Sequence, residues 1–100
     1  MLKIKEYLLK DGVALVQTIY MPTSAQVFNA IEENGTVTLF ALIKNTEPTS
    51  ELRHFEIHGT GELFSAECVK HIATYKSSLG TRHVFEVLKE GGANYEGYLH

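Results

Sequence analysis

The dipeptide Asn34-Gly35, set between two runs rich in Val, Ile, Leu, Phe and Thr, constrains this chain more than any other feature. A two-residue type I′ hairpin turn needs positive φ at both positions, and Asn and Gly tolerate it best. With these two as the turn, Glu33 faces Thr36, Ile31 faces Thr38, Asn29 faces Phe40 and Val27 faces Leu42. On the reverse side, Ala30 faces Leu39 and Phe28 faces Ala41. One face of the ribbon therefore carries Phe28, Ala30, Val37, Leu39, Ala41 and Ile43, because side chains alternate with period two. The other carries Val27, Ile31, Phe40 and Leu42, relieved by Asn29, Thr36 and Thr38. A ribbon with one wet face alternates apolar and polar residues more cleanly than this. The pattern predicts a hairpin central in its sheet and covered on both sides. The competing reading is a helix over 25–34, capped by Ser24 and stopped by Gly35, which would make the fold α+β. The Val, Phe and Ile content and the Asn-Gly turn favour strand.

The rest of the chain follows the same grammar. Residues 2–9 alternate as a strand, Lys10-Asp11-Gly12 reads as a hairpin-type turn, and 13–20 is strand-rich again until Pro22 breaks it. After the central hairpin, 45–51 is one long polar connection. Residues 52–58 form a split strand, with Leu52, His54, Glu56 and His58 on one face and Arg53, Phe55 and Ile57 on the other. Gly59-Thr60-Gly61 ends it. Leu63, Ala66 and Val69 give 62–69 a weak helical spacing, which predicts one short helix. A second hairpin joins 70–75 to 82–88, and the Gly-Gly-containing segment 89–100 reads as a flexible tail beyond a single β-rich domain, 1–88. Seven short strands at this spacing predict an all-β antiparallel sandwich or partly open barrel.

Composition narrows the function classes. One hundred residues bound one domain with one modest core. A net charge of -3 argues against a nucleic-acid-coating protein, which carries a basic stripe. No run of eighteen apolar residues and no signal-peptide core is present, so the expectation is a cytoplasmic protein with no membrane span. The single cysteine, Cys68, makes no internal disulfide.

Several stretches together are similar to a known family. These are Met21-Pro22-x-x-Ala25-x-Val27, the hairpin through Asn34-Gly35 into Leu39-Phe40-Ala41-Leu42-Ile43, Arg53-x-Phe55 closing on Gly59-Thr60-Gly61, and His83-Val84-Phe85-Glu86. In order and spacing, over residues 13–88, they resemble a family of small phage and prophage proteins with no assigned activity. The resemblance implies a mostly β fold and a phage setting. It also implies a short loop after Gly61, where the spacing of this chain suggests helix.

Four constellations could carry chemistry. His54, Glu56 and His58 project from one face of a strand, and with His71 or His83 they could share a metal ion, although an exposed polar strand face is much the commoner origin of such a pattern. Gly59-Thr60-Gly61 after a strand could cradle an anion on converging backbone N–H groups, with Arg53, His58, Lys70 and Arg82 supplying charge, yet it lacks a phosphate-loop fingerprint. Cys68 and His71 form a Cys-x-x-His pair, but a lone Cys is more often a small buried hydrophobe. The five tyrosines are scattered without basic runs and read as packing residues.

The expectation is therefore a non-enzymatic binding protein without a cofactor or catalytic group. It acts on a host protein or sequesters a small anionic, nucleotide-like ligand through Arg53, His58, Gly59, Thr60, Gly61 and Arg82. The alternatives are a metalloprotein or enzyme using His54, Glu56, His58 and Cys68, or an assembly component of a phage particle. The two-sided apolar hairpin adds a homo-oligomer, most simply a two-fold dimer.

Overall fold

Asn34 and Gly35 both adopt positive φ, 53° and 85°, and the chain reverses between β3 (Gln26–Glu33) and β4 (Thr36–Lys44) as a type I′ turn requires. The structure, a computed structural model, describes residues 1–12, 16–49 and 51–88. The predicted tail, 89–100, lies outside the described residues, as do 13–15 of the second predicted strand. Five further strands complete the fold: β1 (Leu2–Lys10), β2 (Val16–Met21), β5 (Glu51–Gly59), β6 (Val69–Ser77) and β7 (Gly80–Val87). They form two antiparallel sheets, β1-β4-β3 and β2-β5-β7-β6, stacked as an open sandwich that does not close into a barrel.

The core lies between the sheets. Leu9, Val27, Ala30, Val37, Leu39, Ala41 and Ile43 from the first sheet meet Met21, Phe55, Ile57, Ile72, Ala73 and Val84 from the second. Burial along β4 alternates strictly, with Val37, Leu39, Ala41 and Ile43 inside, as the period-two reading requires. The predicted pairs Glu33–Thr36, Ile31–Thr38, Ala30–Leu39 and Asn29–Phe40 are all present.

Beyond Asn29 the register departs from the prediction. A β-bulge between Val27 and Asn29 shifts the pairing by one, so Val27 faces Ala41 and Gln26 faces Leu42. A bulge sets two residues against one and resets the alternation. Val27 thereby enters the core, fully buried, and Phe28 turns out to solvent at 52% exposed. The expected core position of Phe28 is reversed by this one extra residue.

Three other expectations change. The hairpin is not central as a unit, because β4 has β1 on its far side whereas β3 is an edge strand. Asp11-Gly12 does not close a hairpin: β1 pairs with β4, β2 pairs with β5, and the turn leaves one sheet for the other. No helix occurs among the described residues, so 25–34 is strand, and the helix expected over 62–69 is an irregular strap ending where β6 begins. Leu63 and Phe64 did not call for a helix: Phe64 packs on the neighbouring sheet, and Leu63 is exposed.

Candidate functional site

Strand parity places four histidines on one surface. Directly paired residues of neighbouring strands share a face. His58 pairs with His83, His83 with Thr74, Glu56 with Phe85, and Phe85 with His71. His54 lies two residues from Glu56 and four from His58 along β5, on the same side and opposite Phe55 and Ile57, which are in the core. The outer face of β2-β5-β7-β6 thus presents His54, His58, His71 and His83 around Phe85.

The strap, residues 60–68, crosses part of this face. Phe64 stacks on His58 with ring centroids 4.0 Å apart and planes 10° from parallel, and it meets Phe85 at 5.4 Å. Under it, the His58 ring is 1% exposed and held at both nitrogens. Nε2 lies 2.6 Å from Glu56 Oε1, and Nδ1 lies 2.8 Å from Glu62 Oε1. A neutral imidazole carries a single N–H. Satisfying both carboxylates takes one additional proton, on the ring or on a carboxyl group.

The turn expected to cradle an anion already holds one from its own chain. Glu62 Oε2 accepts the Gly59 N–H at 3.1 Å and lies 3.7 Å from the Arg82 guanidinium. The hydrogen bond from His58, then that from the Gly59 amide, hold the Glu62 carboxyl below its ordinary value. Gly59 leaves room for this approach, since a Cβ there would sit 3.1 Å from Arg82 Nη1 and 3.3 Å from Glu62 Oε2 and both side-chain ends would have to shift slightly. His58, Gly59, Thr60, Gly61 and Arg82 are therefore neighbours, with Glu62 the member that the sequence reading left out.

Arg53 is not among them. It lies six residues back along β5, roughly 20 Å away at strand rise, and it is spent on internal contacts. Its guanidinium pairs with Glu86 through Nε and, at 3.1 Å, through Nη2, and it donates to the Ala25 carbonyl at 2.9 Å. Burial alone would lower its pKa, but the hydrogen bond and charge of Glu86 outweigh this and raise it. Lys70 sits directly opposite Glu86 on β6. These residues line a cleft of about 260 Å³ with Glu51, Leu52, His54, Val87 and Leu88. Two cations there face two carboxylates, so the cleft offers no net positive charge.

Arg82 is likewise committed at the other end of the sandwich. Its Nη2 and Nε donate to Asp11 Oδ1 at 2.9 and 3.2 Å, and Tyr75 donates its hydroxyl to Asp11 Oδ2 at 2.6 Å. The Asp11 amide in turn donates to the Gly35 carbonyl at 2.9 Å. The hydrogen bond to Asp11 raises the Arg82 pKa, while burial, followed by that same carboxylate, raises Tyr75 far above its ordinary value. Asp11 therefore ties the β1–β2 turn to β6, β7 and the central hairpin.

The remaining candidates are placed as follows. His54 Nδ1 bonds Thr18 Oγ1 at 2.9 Å, away from His58. Among the described residues, no three His, Cys, Asp or Glu side chains are arranged to hold a metal ion. Cys68 is half-buried at the end of the strap, and His71 bonds Thr74 rather than turning to it. A continuous chain of contacts instead runs from His71 Nε2 through Thr74 Oγ1 to His83 Nδ1, and from His83 Nε2 to Thr60 Oγ1, at 2.8, 2.9 and 2.7 Å. Phe64, Phe85, Thr74 and Asp11 were missed by sequence reasoning. Strand parity alone would have grouped the histidines, had the order β5-β7-β6 been known.

The opposite outer face differs in kind. Pairing of β1 with β4 places Leu2, Ile4 and Leu8 beside Lys44, Leu42 and Thr38, on the side facing away from the core. Leu2, Ile4 and Leu8 are 63%, 60% and 65% exposed, and Ile31 across β4 is 47% exposed. Phe40 and Leu42 lie between them, half-buried. The described residues leave this apolar surface open.

Among the described residues no helix is long and apolar enough to cross a membrane. No curated protein and no solved structure matches the chain. Residues 2–94 match a domain family of unknown function, DUF7352, and a match over nearly the whole length shows that the chain belongs to that family.

Proposed function

We propose that the protein is a non-enzymatic binding protein that works as a two-fold dimer, joined through the outer face of β1-β4-β3. The observation that carries this is the apolar surface of Leu2, Ile4, Leu8, Ile31, Phe40 and Leu42. Large contiguous apolar surface on a small protein marks an interaction site. A second copy fits it for two reasons. The apolar centre is rimmed by charges of both signs, Lys10 and Lys44 with Glu6 and Glu33, so a two-fold stack need not set like charges together. The β1 edge is guarded instead: Lys3 and Lys5 point to the inner side beside Ile43 and Ala41, and inward charges discourage edge-to-edge pairing. Face-to-face packing of two sheets, about 10 Å apart, is what remains.

Magnitudes set the affinity. More than half of Leu2, Ile4 and Leu8 is still to be buried, which contributes about 1 kcal/mol per side chain. With Ile31, both copies together gain on the order of 8 kcal/mol, against an association cost of at least about 4 kcal/mol. The difference, about 4 kcal/mol, corresponds to a Kd of about 1 mM, so the dimer is expected as the concentration approaches the millimolar range. A phage setting and a cytoplasmic location belong to the same reading, and both rest on the sequence motifs alone. A host protein is the second candidate for the same face. The small-anion reading is weaker, because Glu62 sits against the turn N–H.

Size-exclusion chromatography with light scattering tests the proposal. The expected mass rises with concentration towards twice the 11.2 kDa of the chain, and Ile4→Lys returns it to 11.2 kDa. A single 11.2 kDa species at every concentration up to about 1 mM overturns the dimer and leaves the face to a different partner.

A further inference from the structure

We infer that residues 60–68 form a proton-operated strap, which the ionised Glu62 carboxylate holds closed over His58 and Phe85 and which acidification releases. Three contacts converge on that carboxylate: the His58 ring at 2.8 Å, the Gly59 amide at 3.1 Å and the Arg82 guanidinium at 3.7 Å. With the His58 proton on Nδ1 all three partners are donors, and all three belong to β5 and β7 rather than to the strap. The Glu62 side chain is 46% exposed, so solvent protons reach it without unfolding the sheets. His58, by contrast, is sealed beneath Phe64.

Backbone bonds tie the two ends of the strap, from the Glu62 N–H to the Gly59 carbonyl at 3.2 Å and from the Leu88 N–H to the Cys68 carbonyl at 2.9 Å, and its middle rests on fewer contacts. Leu63 is 96% exposed and Phe64 is anchored by its stack on His58 and its contact with Phe85. Thr60 adds its contact with His83 Nε2 and an N–H bond to the Thr81 carbonyl at 3.3 Å. Protonating Glu62 turns an acceptor of three donors into a neutral group that presents its own O–H, and charge-assisted bonds are roughly twice as strong as neutral ones. The charged and titratable groups around the clamp are Glu56 on β5, His83 and Arg82 on β7, and Asp11 behind Arg82. Arg82 and Asp11 form their own pair, so Arg82 remains in place when Glu62 neutralises. The lowered Glu62 pKa gives the sign: closure is present above its ordinary range and is lost as pH falls through the folded-state value. Release uncovers Phe85 and breaks the Thr60 end of the His71–Thr74–His83 chain.

Nuclear Overhauser contacts between the Phe64 ring and the rings of His58 and Phe85 read the strap directly, and sheet amide resonances report the fold in the same samples. In the wild type these contacts are expected at neutral pH and lost on acidification while the sheet resonances persist. Phe64→Ala supplies the open reference spectrum. Glu62→Gln keeps the shape of the carboxylate without its titration, and it is expected to abolish the acid transition. Contacts that survive until the sheets themselves unfold overturn the inference. So does an acid transition in Glu62→Gln that matches the wild type.

Discussion

The two sheets solve the same problem in opposite ways. Each must bury one face against the other, and each is left with an outer face. The sheet β2-β5-β7-β6 covers the β5-β7-β6 part of its outer face with its own chain: Phe64 lies on His58, and Glu56, Glu62, Thr60 and Thr74 engage the histidine nitrogens, while Val16, Tyr20 and Leu52 on the β2 side stay 44%, 56% and 54% exposed. The sheet β1-β4-β3 leaves Leu2, Ile4 and Leu8 in solvent. The inner faces differ too. Tyr75 of the first bonds Asp11, whereas the buried hydroxyl of Tyr7, in the second, has no hydrogen-bond partner among the described residues. Among the described residues, one sheet has its inner hydroxyl paired, and the other carries an unpaired hydroxyl inside and apolar surface outside that they do not cover.

Asp11 is where this contrast breaks most easily, because it fastens the polar sheet to the central hairpin of the apolar one. Its side chain is 1% exposed and neutralises Arg82, while accepting from Tyr75. Removing one partner of a buried ion pair costs about 3–5 kcal/mol. Asp11→Asn is expected near the lower figure, since Glu62 remains 3.7 Å from Arg82. Urea unfolding measures it. A loss below about 1 kcal/mol would mean that the sheets are held by apolar packing alone.

A matched pair of substitutions on the two outer faces sharpens the contrast. Phe64→Ala removes an aromatic stack worth about 0.5–1.5 kcal/mol beyond its area, so a total near 2 kcal/mol is expected. Ile4→Ser, assayed at dilutions where single copies prevail, should stay within about 0.5 kcal/mol. Equal costs would mean that both faces are covered to the same extent.

How much of this contrast could be read from the residues depends on range. Turn chemistry is local, so Asn34-Gly35, the pairing as far as Asn29–Phe40 and all seven strands were legible. Phe28 was misplaced because a bulge adds one residue without leaving a mark in composition, and period two then inverts everything beyond it. A second bulge, between His71 and Ala73, buries the adjacent residues Ile72 and Ala73 in the same way. Arg82 was legible as a cation near a glycine turn, whereas Arg53, expected there too, is held at the other end of β5. Their partners Glu86 and Asp11 stand 33 and 71 positions away in sequence, and only the strand order brings them together. The histidine face was half visible: residues 54, 56 and 58 share a side by parity, but His71 and His83 join them through β7.

A second pair of substitutions distinguishes the inner faces, and here the sign rather than the size carries the information. Tyr75→Phe deletes a hydroxyl that donates to a buried carboxylate, and hydrogen bonds to charged groups contribute about 1.5–3 kcal/mol. It should destabilise by about that amount. Tyr7→Phe deletes a hydroxyl that is buried without a partner, and burial raises the pKa of this group as it does that of Tyr75. Leaving a polar group buried and unpaired costs about 1–3 kcal/mol, so its removal is expected to stabilise the chain by about 1 kcal/mol. The ring stays in both variants, so packing against Leu39 opposite Tyr7 and against the core beside Tyr75 is unchanged. Opposite signs in the two variants would show that the apolar sheet tolerates a polar defect which the other has repaired with Asp11. A loss of stability in Tyr7→Phe would instead mean that this hydroxyl is bonded in solution, and the two sheets would then differ only on their outer faces.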